Sequence, residues 1–495
     1  MNAAEAHPIL TCGEAKALEE RLFSGDAARE WPAMQAAGHS IAGALLRDFE
    51  EIGGFPANGR VLVVAGKGHN GGDALLAAAE ILRQYPEARA DILLVYGVKT
   101  LRPLAMRAYQ RLQHAAPDRV ETVTGRALQP AYALSLDGLF GFQYRPSLDA
   151  KAIAALGRIN ALPVRLRAAV DLPSGWDAAE AFRADFTYAT GVVKVPLLAL
   201  ANAGRLRYLD LGFFEAGEAS PAAERVLTTA VLAPLQIWRD PQADKRSQGH
   251  VFVLGGSRDY PGAVLMTVLA ALKSGAGLVT VFVPETLVRA FAAQVPEAIW
   301  VGWPETPTGA LALEGQHLLV ERWNRATALV IGPGLGREKE TLALVARIVS
   351  AAKVPVLLDA DALQPETLRA SRTRLVLTPH AGEFARIAAG AELRAFAQAT
   401  GATVVLKGPV TRIAAGGAVY HSFFGGPVLA RGGSGDLLAG IIGSQLALTP
   451  DDPLGAACRG AAWHGAAADA LARAHGATAV RTTQVLDFLG VVLRG

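Results

Sequence analysis

The chain has 495 residues, of which 51% are hydrophobic and 19% are charged. This composition excludes a disordered or collagen-like protein, and the length allows about two to four domains. The formal net charge of +3 is too small for a chain of this size to predict binding to nucleic acid or to an anionic membrane. The 52 glycines exceed the roughly 35 expected from average usage, so their positions direct the search for sites.

Cysteine content and segment hydrophobicity indicate a cytoplasmic protein without a membrane partner. Cys12 and Cys458 lie at opposite ends of the chain and build neither a disulfide framework nor a cysteine zinc site. The first thirty residues carry acidic side chains and no long apolar core, which is not typical of a signal peptide. Residues 262–284 are the most apolar stretch, but Lys273 and several glycines favour a buried helix followed by a strand.

The N-terminal half predicts alternating strands and helices. Helical stretches fill 11–55, with a break at Trp31-Pro32. The predicted strands that follow are 60–65, 91–96, 134–136 and 167–170, and the predicted helices are 74–82 and 101–114. This alternation is typical of a parallel sheet covered by helices on both faces, which binds ligands beyond the carboxyl ends of its strands.

A polar, Pro-containing stretch over about 215–247 interrupts the pattern, and a second α/β series follows. We expect an α/β protein of two domains, 1–215 and 241–495, joined by a linker over 216–240. The strands predicted for the second series are 250–254, 278–283, 328–331, 356–358, 375–378 and 404–406. One helix is predicted after Gly435, and a last helix is predicted over about 461–474.

The first glycine-rich segment is Gly66-Lys-Gly-His-Asn-Gly-Gly-Asp73, between a predicted strand and a helix. Its glycines allow a ligand to approach the backbone, and the start of the helix offers free N–H donors to a phosphate. A plain tight strand–helix turn is the alternative explanation for the glycines. No Lys-Ser/Thr pair follows the last glycine, so the segment is not a P-loop.

Two further predicted strand ends, Asp137-Gly-Leu-Phe-Gly141 and Asp171-Leu-Pro-Ser-Gly175, place polar groups near this segment. Asn70, Asp137 and Ser174 are hard oxygen donors suited to an alkali or alkaline-earth cation, although Asp137 is also explained as a turn or helix cap. Asp171 lies in a Gly/Pro-shaped pocket and is a candidate acid–base group.

This three-part motif, preceded by Met34-Gln-Ala-Ala-Gly38, resembles the NAD(P)H-hydrate epimerase domain over about residues 10–215. The resemblance implies a Rossmann-like three-layer sandwich. It also implies that Asp171 is the catalytic carboxylate and that K⁺ is bound by Asn70, Asp137 and Ser174. The implied substrate contacts are His69, Asn70, Gly71, Gly72, Asp73, Gly141, Phe142, Gln143, Tyr144, Arg145, Pro146, Ser147 and Asp171. His69 and Ala74 stand where the family usually has Asn and Gly.

The second glycine-rich segment, Arg431-Gly-Gly-Ser-Gly-Asp436, opens an apolar helix. Glycine N–H groups at a helix start form an anion hole for a transferring phosphoryl group, and Asp436 is placed to accept a proton from the acceptor hydroxyl. A structural helix-capping Asp is the alternative for Asp436.

Other motifs follow apolar strands of the same series and are expected at the same sheet edge. They are 332–336 (GPGLG), 359–363 (DADAL), 378–383 (TPHAGE) and 406–411 (LKGPVT). His380 alone suits an ordinary hydrogen-bonded loop histidine, and Lys407 suits either a phosphate contact or a solvated lysine. Asp359 and Asp361 would hold Mg²⁺ through water or cap the next helix.

Together with Tyr260-Pro-Gly-Ala263, these motifs resemble the ribokinase-like superfamily over about residues 240–490, and within it the ADP/ATP-dependent NAD(P)H-hydrate dehydratases. The resemblance implies a ribokinase-like three-layer sandwich that uses Mg²⁺ with ADP or ATP. It implies that Asp436 is the catalytic base. The implied hydrate contacts are Ala263, Gly336, His380 and Asp436, and the implied nucleotide contacts are Lys407, Gly408, Pro409, Val410, Thr411 and Gly435. Ser434 replaces the usual Thr, and Lys245-Arg-Ser-Gln-Gly249 departs from the family's His-Lys-Gly.

The resemblance therefore predicts a bifunctional enzyme that epimerises hydrated NADH and NADPH (NADHX and NADPHX) and dehydrates the S hydrate with ADP or ATP. One alternative is a ribokinase-like small-molecule kinase, and another is a non-catalytic nucleotide-binding module in the N-terminal half. A homo-oligomer is compatible with the sequence, which does not define the oligomeric state.

Overall fold

A computed structural model describes residues 5–143, 147–214 and 222–494. The chain divides into two compact units. The N-terminal unit comprises His7–Ala222 with Arg473–Gly476, and the C-terminal unit comprises Met1–Ala6, Ala223–Ala472 and Ala477–Gly495. No helix of the described residues combines the length and apolarity needed to cross a membrane.

The N-terminal unit alternates strands and helices, as predicted. Its strands are β1 Ala6–Leu10, β2 Arg60–Ala65, β3 Arg89–Leu94, β4 Val120–Val123, β5 Tyr132–Gly138, β6 Val164–Val170, β7 Phe186–Thr190, β8 Val193–Lys194 and β9 Arg205–Leu209. Its helices are α1 Cys12–Phe23, α2 Ala27–Phe49, α3 His69–Gln84, α4 Pro103–Ala115 and α5 Ala150–Ala161.

Seven parallel strands of this unit form a sheet in the order β4-β3-β2-β5-β6-β7-β9. Alternate residues of β2 face opposite sides, so Val61 and Val63 join one apolar cluster while Leu62 and Val64 join another. Helices cover both clusters, which confirms the predicted three-layer α/β architecture. β1 pairs in parallel with β8, which places Leu10 opposite Lys194.

The C-terminal unit repeats the strand–helix alternation. Its strands are β10 Glu224–Leu227, β11 His250–Leu254, β12 Leu278–Pro284, β13 Ile299–Trp303, β14 Ala328–Ile331, β15 Val356–Leu358, β16 Leu375–Leu377, β17 Thr403–Leu406, β18 Thr411–Ala415 and β19 Ala418–Ser422. Its helices are α6 Pro261–Lys273, α7 Glu285–Gln294, α8 Gln316–Val320, α9 Lys339–Ala351, α10 Pro365–Ala370, α11 Ala381–Ala388, α12 Leu393–Thr400, α13 Ser434–Leu448, α14 Pro453–His475 and α15 Leu489–Val492.

Strands of this unit follow the order β13-β12-β11-β14-β15-β16-β17-β18-β19-β10, with antiparallel pairing at β17–β18 and β18–β19. Val251 and Val253 of β11 face one apolar cluster, and Phe252 and Leu254 face the other. The sheet is therefore buried on both faces, which again confirms three layers.

The predicted linker over 216–240 differs from the structure from residue 224 onward. Residues 224–227 form β10, which pairs in parallel with β19, and Val226 and Leu227 are buried. A short helix follows over Thr229–Leu235. This strand has only four residues, which is too short to show a periodicity in the sequence. It is defined by its pairing with a strand almost 200 residues later.

Candidate functional site

The first glycine-rich segment packs tightly against the end of β5. A Cβ atom on Gly66 would lie 1.9 Å from the carbonyl oxygen of Leu139, and one on Gly71 would lie 2.4 Å from the carbonyl oxygen of Gly66. These contacts require glycine at both positions, whether or not a ligand binds. Helix α3 begins at His69, five residues before the predicted start, so residues 69–73 are its first five residues.

Asn70, Asp137 and Ser174 meet beyond the carboxyl ends of β5 and β6. The Asn70 amide donates to the carbonyl oxygens of Phe140 at 2.8 Å and Val170 at 3.0 Å. The Ser174 hydroxyl donates to Asp137 Oδ1 at 2.7 Å, and the Ser174 N–H donates to Asp137 Oδ2 at 2.7 Å. The three side chains predicted as cation ligands are thus neighbours.

The chemistry of this donor group fits a monovalent cation. Asp137 is completely buried, and burial raises its pKa to about 6 despite hydrogen bonds from Ser174 and Leu139. A buried carboxylate without a cationic side chain beside it is stabilised by a bound cation. One carboxylate with neutral amide, hydroxyl and carbonyl oxygens supplies a single negative charge, which matches K⁺ in charge and in donor type.

Asp171 follows β6 directly and has a left-handed backbone with φ of 67°. Both its carboxylate oxygens have partners: Oδ1 accepts from the ammonium of Lys194, and Oδ2 accepts from the Phe142 N–H at 3.3 Å. Lys194 and Asp171 are 2% and 4% exposed. A left-handed backbone is unfavourable for a non-glycine residue and persists where surrounding contacts enforce it, as at many functional sites.

Lys194 was not predicted from the sequence. It lies in β8, within the apolar run Val192-Val-Lys-Val-Pro196. Its ammonium also lies 5.0 Å from the centre of the Phe142 ring. A lysine in an apolar run signals a buried partner of opposite charge, but the run does not say which carboxylate that partner is.

A cavity of about 500 Å³ opens beside the Asp171–Lys194 pair. Its polar lining includes Asn70, Asp73 and Glu19, and its apolar lining includes Met34 and Phe213. Its volume suits part of a nucleotide-sized molecule. Its other lining residues from the predicted substrate loop are His69, Gly141, Phe142 and Gln143.

Two carboxyl groups in this cavity are shifted toward their neutral forms. Burial, with Asp171 and Glu19 nearby, raises the pKa of Asp73 well above its usual range, against the opposing effect of Lys194. Burial likewise raises the pKa of Glu19 to about 7, although Lys194 opposes this. The surroundings of Asp73 and Glu19 therefore favour the protonated form of both carboxyl groups.

The other predicted substrate contacts lie around the same loop. Gly71 and Gly72 are buried in α3, and a Cβ atom on Gly72 would lie 2.8 Å from Met34 Sδ. Ser147 is exposed. His69 lies with its Nε2 atom 3.3 Å from Glu30 Oε2 at the rim of the cavity. Tyr144, Arg145 and Pro146 lie outside the described residues.

In the C-terminal unit, Asp436 lies in the first turn of α13, after a left-handed Gly433 with φ of 88°. Gly435 leaves room for Lys407, since a Cβ atom there would lie 3.2 Å from Lys407 Nζ. Burial and the nearby Asp359 raise the pKa of Asp436 to about 7, against the opposing effect of Lys407. The carboxyl group is therefore poised to exchange a proton near neutral pH.

Lys407 follows β17 and lies between carboxylates. Its ammonium is 2.9 Å from Asp359 Oδ1 and 3.9 Å from Glu383 Oε2. Although burial disfavours the charge, Asp359 and Glu383 raise the pKa of Lys407, so the side chain is a permanent cation. It is not the solvated surface lysine considered as an alternative.

His380 is the N-cap of α11. Its Nδ1 atom accepts from the N–H groups of Gly382 at 3.0 Å and Glu383 at 3.3 Å, and the Glu383 carboxylate accepts from the His380 N–H at 2.8 Å. A β-bridge between His380 and Lys407 aligns their strand ends. The imidazole is 61% exposed, and its Nε2 atom lies 3.4 Å from Glu383 Oε1.

The GPGLG segment lies beside the start of α6. A Cβ atom on Gly334 would lie 2.2 Å from the Tyr260 carbonyl oxygen and 3.2 Å from Ala263 Cβ. The Thr267 hydroxyl lies 3.1 Å from the carbonyl oxygens of both Ala263 and Asp436, which ties α6 to α13. Ala263, the segment ending at Gly336, and Asp436 are therefore brought together.

The remaining predicted nucleotide contacts form the turn between β17 and β18. Gly408 and Pro409 are exposed, Val410 is half-buried, and Thr411 begins β18. The two candidate Mg²⁺ carboxylates are already paired with cations: Asp359 with Lys407, and Asp361 with Arg337 at 2.7 Å. The described residues contain no group of three or more metal-type side chains arranged around one point.

Comparisons with known proteins match both units. Residues 32–195 match the family model described as YjeF-related protein N-terminus, and residues 251–489 match the model described as NAD(P)H-hydrate dehydratase.

Two full-length relatives have the name bifunctional NAD(P)H-hydrate repair enzyme Nnr. The protein from Moorella thermoacetica is 34% identical over 93% of this chain and 92% of its own length. The protein from Gloeobacter violaceus is 35% identical over 96% of both chains. Among solved structures, an ADP/ATP-dependent NAD(P)H-hydrate dehydratase from Bacillus subtilis, co-crystallised with ATP and Mg²⁺, is 29% identical, covers 52% of this chain and 93% of its own, and has a TM-score of 0.45.

Proposed function

The chain belongs to the family of bifunctional NAD(P)H-hydrate repair enzymes, and on that premise we propose how its two sites divide the work. The N-terminal unit interconverts the R and S hydrates of NADH and NADPH. The C-terminal unit dehydrates the S hydrate to NAD(P)H with ADP or ATP. The observation that carries this division is that each unit places an aspartate and a lysine paired with a carboxylate beside its own glycine-rich helix N-terminus.

In the N-terminal unit, the substrate carries a hydroxyl group on the ring carbon next to the ring nitrogen. Asp171 is the proton-accepting group, because Lys194 and the Phe142 N–H stabilise its ionised form inside the cavity. The contacts assigned to the dinucleotide are residues 69–73 and 141–147 together with Asp171. The first turn of α3 offers backbone N–H groups to a phosphate.

We assign K⁺ to Asn70, Asp137 and Ser174 in this unit. The buried charge of Asp137 and the neutral oxygens around it support that assignment. A bound K⁺ supplies a fixed positive charge that holds the ends of β5 and β6 together. The residues themselves do not transfer protons in this proposal.

In the C-terminal unit, Asp436 accepts the proton of the substrate hydroxyl as that oxygen attacks the terminal phosphoryl group of the nucleotide. Loss of phosphate, driven by the electron pair of the ring nitrogen, gives an iminium ion, and loss of a proton from the adjacent ring carbon to water then restores the dihydropyridine. Hydrate contacts are assigned to Ala263, Gly336, His380 and Asp436. Nucleotide contacts are assigned to Lys407–Thr411 and Gly435, where Lys407 offers its positive charge to a phosphate.

Mg²⁺ is proposed to accompany ADP or ATP at this site. Mg²⁺ is usually held by one or two carboxylates together with substrate phosphates and water, so a preformed cage of protein ligands is not required. Asp359 and Glu383 lie beside the assigned phosphate contact Lys407. When bound, Mg²⁺ neutralises developing charge on the phosphates.

Ultraviolet absorbance tests this function directly. Purified protein with a mixture of R and S NADH-hydrate, ADP and Mg²⁺ should restore the dihydropyridine absorbance completely and release orthophosphate. A stable phospho-ester without absorbance recovery would instead identify a ribokinase-like kinase. Recovery that stops when the S epimer is consumed would identify the N-terminal unit as a non-catalytic binding module.

We further propose that the protein works in the cytoplasm. The two cysteines, Cys12 and Cys458, are both free thiols, which suits a reducing compartment.

A further inference from the structure

Two aspartates line the N-terminal cavity, and they differ in the hydrogen-bond and ion-pair partners of their carboxyl groups. Asp171 has partners for both carboxylate oxygens, including the Lys194 ammonium. Asp73 has a buried Oδ1 atom for which the described residues provide no hydrogen-bond partner, and no cation pairs with it there. A carboxylate in that situation is costly, whereas a carboxylic acid is tolerated.

The position of Asp73 gives the neutral acid access to the substrate. It is the fifth residue of α3, directly after the Gly71-Gly72 pair, and lines the same cavity as Asp171 and Lys194. Residues on one helical turn are held rigidly, and Gly72 is packed against Met34. The acid is therefore fixed relative to Asp171.

We propose that Asp73 is the general acid of the epimerisation and that Asp171 is its base. This inference rests on the proposed epimerase function and names a second catalytic residue for it. Two carboxyl groups whose surroundings separate their protonation states divide the acid and base roles between them.

The proton balance of the step is complete without a further reactant. Asp73 gives its proton to the ring hydroxyl, the carbon–oxygen bond breaks, and water leaves as the ring nitrogen's electron pair forms a C=N⁺ bond. A water molecule then adds to the opposite face of that carbon and gives its proton to Asp171. Proton exchange through water in the cavity returns Asp171 to its anion and Asp73 to its acid.

Other ionisable groups face this pair and contribute to its pH dependence. Lys194 of β8 favours ionisation of Asp73, and Glu19 of α1 disfavours it. Glu30 of α2 interacts with Glu19, and Cys12 of α1 interacts with Asp171 and Lys194. Glu19 is the competing acid, because burial raises its pKa to about 7 and it lines the same cavity.

The decisive experiment compares Asp73→Asn with Glu19→Gln in the full-length protein, following epimerisation of R to S NADPH-hydrate across pH. Asparagine still donates hydrogen bonds, so Asp73→Asn should leave KM within about 3-fold while kcat falls about 100-fold or more, the usual contribution of a general acid. In the wild-type protein the epimerisation rate should fall at high pH, and this fall should be absent in Asp73→Asn. Asp73→Glu should recover part of kcat, and thermal unfolding of each variant shows whether the N-terminal unit is folded.

Three results would overturn the inference. One is an Asp73→Asn variant with wild-type kcat, or with KM alone increased, which would make Asp73 a binding residue. Another is a Glu19→Gln variant whose rate no longer falls at high pH while the rate of Asp73→Asn still does, which would make Glu19 the acid. A third is an Asp73→Asn variant whose kcat is reduced but still falls at high pH as in the wild-type protein. Failure of the wild-type protein to epimerise at all would instead reject the proposed function itself.

Discussion

Lys194 and Asp171 form a buried ion pair at the carboxyl edge of the N-terminal sheet. They come from different elements, since Lys194 ends β8 and Asp171 follows β6. Both side chains are almost completely buried, so each charge depends mainly on the other. Removing one partner of a buried pair leaves an uncompensated charge and destabilises a protein by about 3–5 kcal/mol.

Lys194→Met should therefore lower both the free energy of unfolding and the rate of epimerisation, because Asp171 loses its compensating charge. Thermal unfolding and the epimerase assay measure the two effects. Lys194→Arg keeps the charge and is the matched control. The double variant Lys194→Met/Asp171→Asn should recover stability but not activity. A single Lys194→Met variant with unchanged stability would contradict a buried pair.

Asp436→Asn should abolish dehydration while epimerisation continues, since the proton acceptor lies only in the C-terminal unit. In the wild-type protein the dehydration rate should rise as pH increases through about 7, because burial and Asp359 raise the pKa of Asp436 to about 7 and only the anion accepts a proton.

The same raised pKa gives a stability signature. A carboxyl group whose pKa is higher in the folded state stabilises that state below its unfolded pKa, and this contribution is lost as pH rises through the folded value. Asp436→Asn should therefore be at least as stable as wild type at pH 8. A dehydration rate that is flat between pH 6 and 8, with chemistry limiting, would exclude Asp436 as the base.

His380→Ala should remove the N-cap of α11 and cost about 1 kcal/mol of stability, because two backbone N–H groups lose their acceptor. It should also raise KM for the hydrate in the dehydratase assay. His380→Asn keeps a capping oxygen and is the control: it should recover the stability but not the KM. If His380→Asn recovers both, the side chain serves only as a cap.

Replacing K⁺ with choline at constant ionic strength should slow epimerisation and leave the C-terminal unit's chemistry on pure S hydrate unchanged. Because burial raises the pKa of Asp137 to about 6, its carboxylate destabilises the folded state above that pH and not below pH 4. Potassium should therefore raise the melting temperature more at pH 8 than at pH 5. Asp137→Asn should lose this difference. Equal rates in potassium and choline would contradict a K⁺ site.

Local sequence was sufficient for both glycine-rich loops and for their aspartates. In a parallel sheet, the residues just after each strand lie at the same edge of the sheet. A Gly or Asp directly after a predicted strand therefore indicates where a ligand site lies and which groups it offers. Asp171 after β6, Asp359 after β15 and Lys407 after β17 all lie at such positions. Strand β11 begins and ends as predicted.

Tertiary structure decided which of these groups pair. Lys194 pairs with Asp171, and Lys407 pairs with Asp359 rather than standing free in solvent. Strand β10, placed in a predicted linker, exists because β19 supplies its backbone partners. Periodicity and motif spacing report local geometry, whereas burial, ion pairing and sheet edges arise from residues distant in the chain. The sequence by itself therefore determined the two sites and their loops, and only the folded chain decided the charge state of each acid within them.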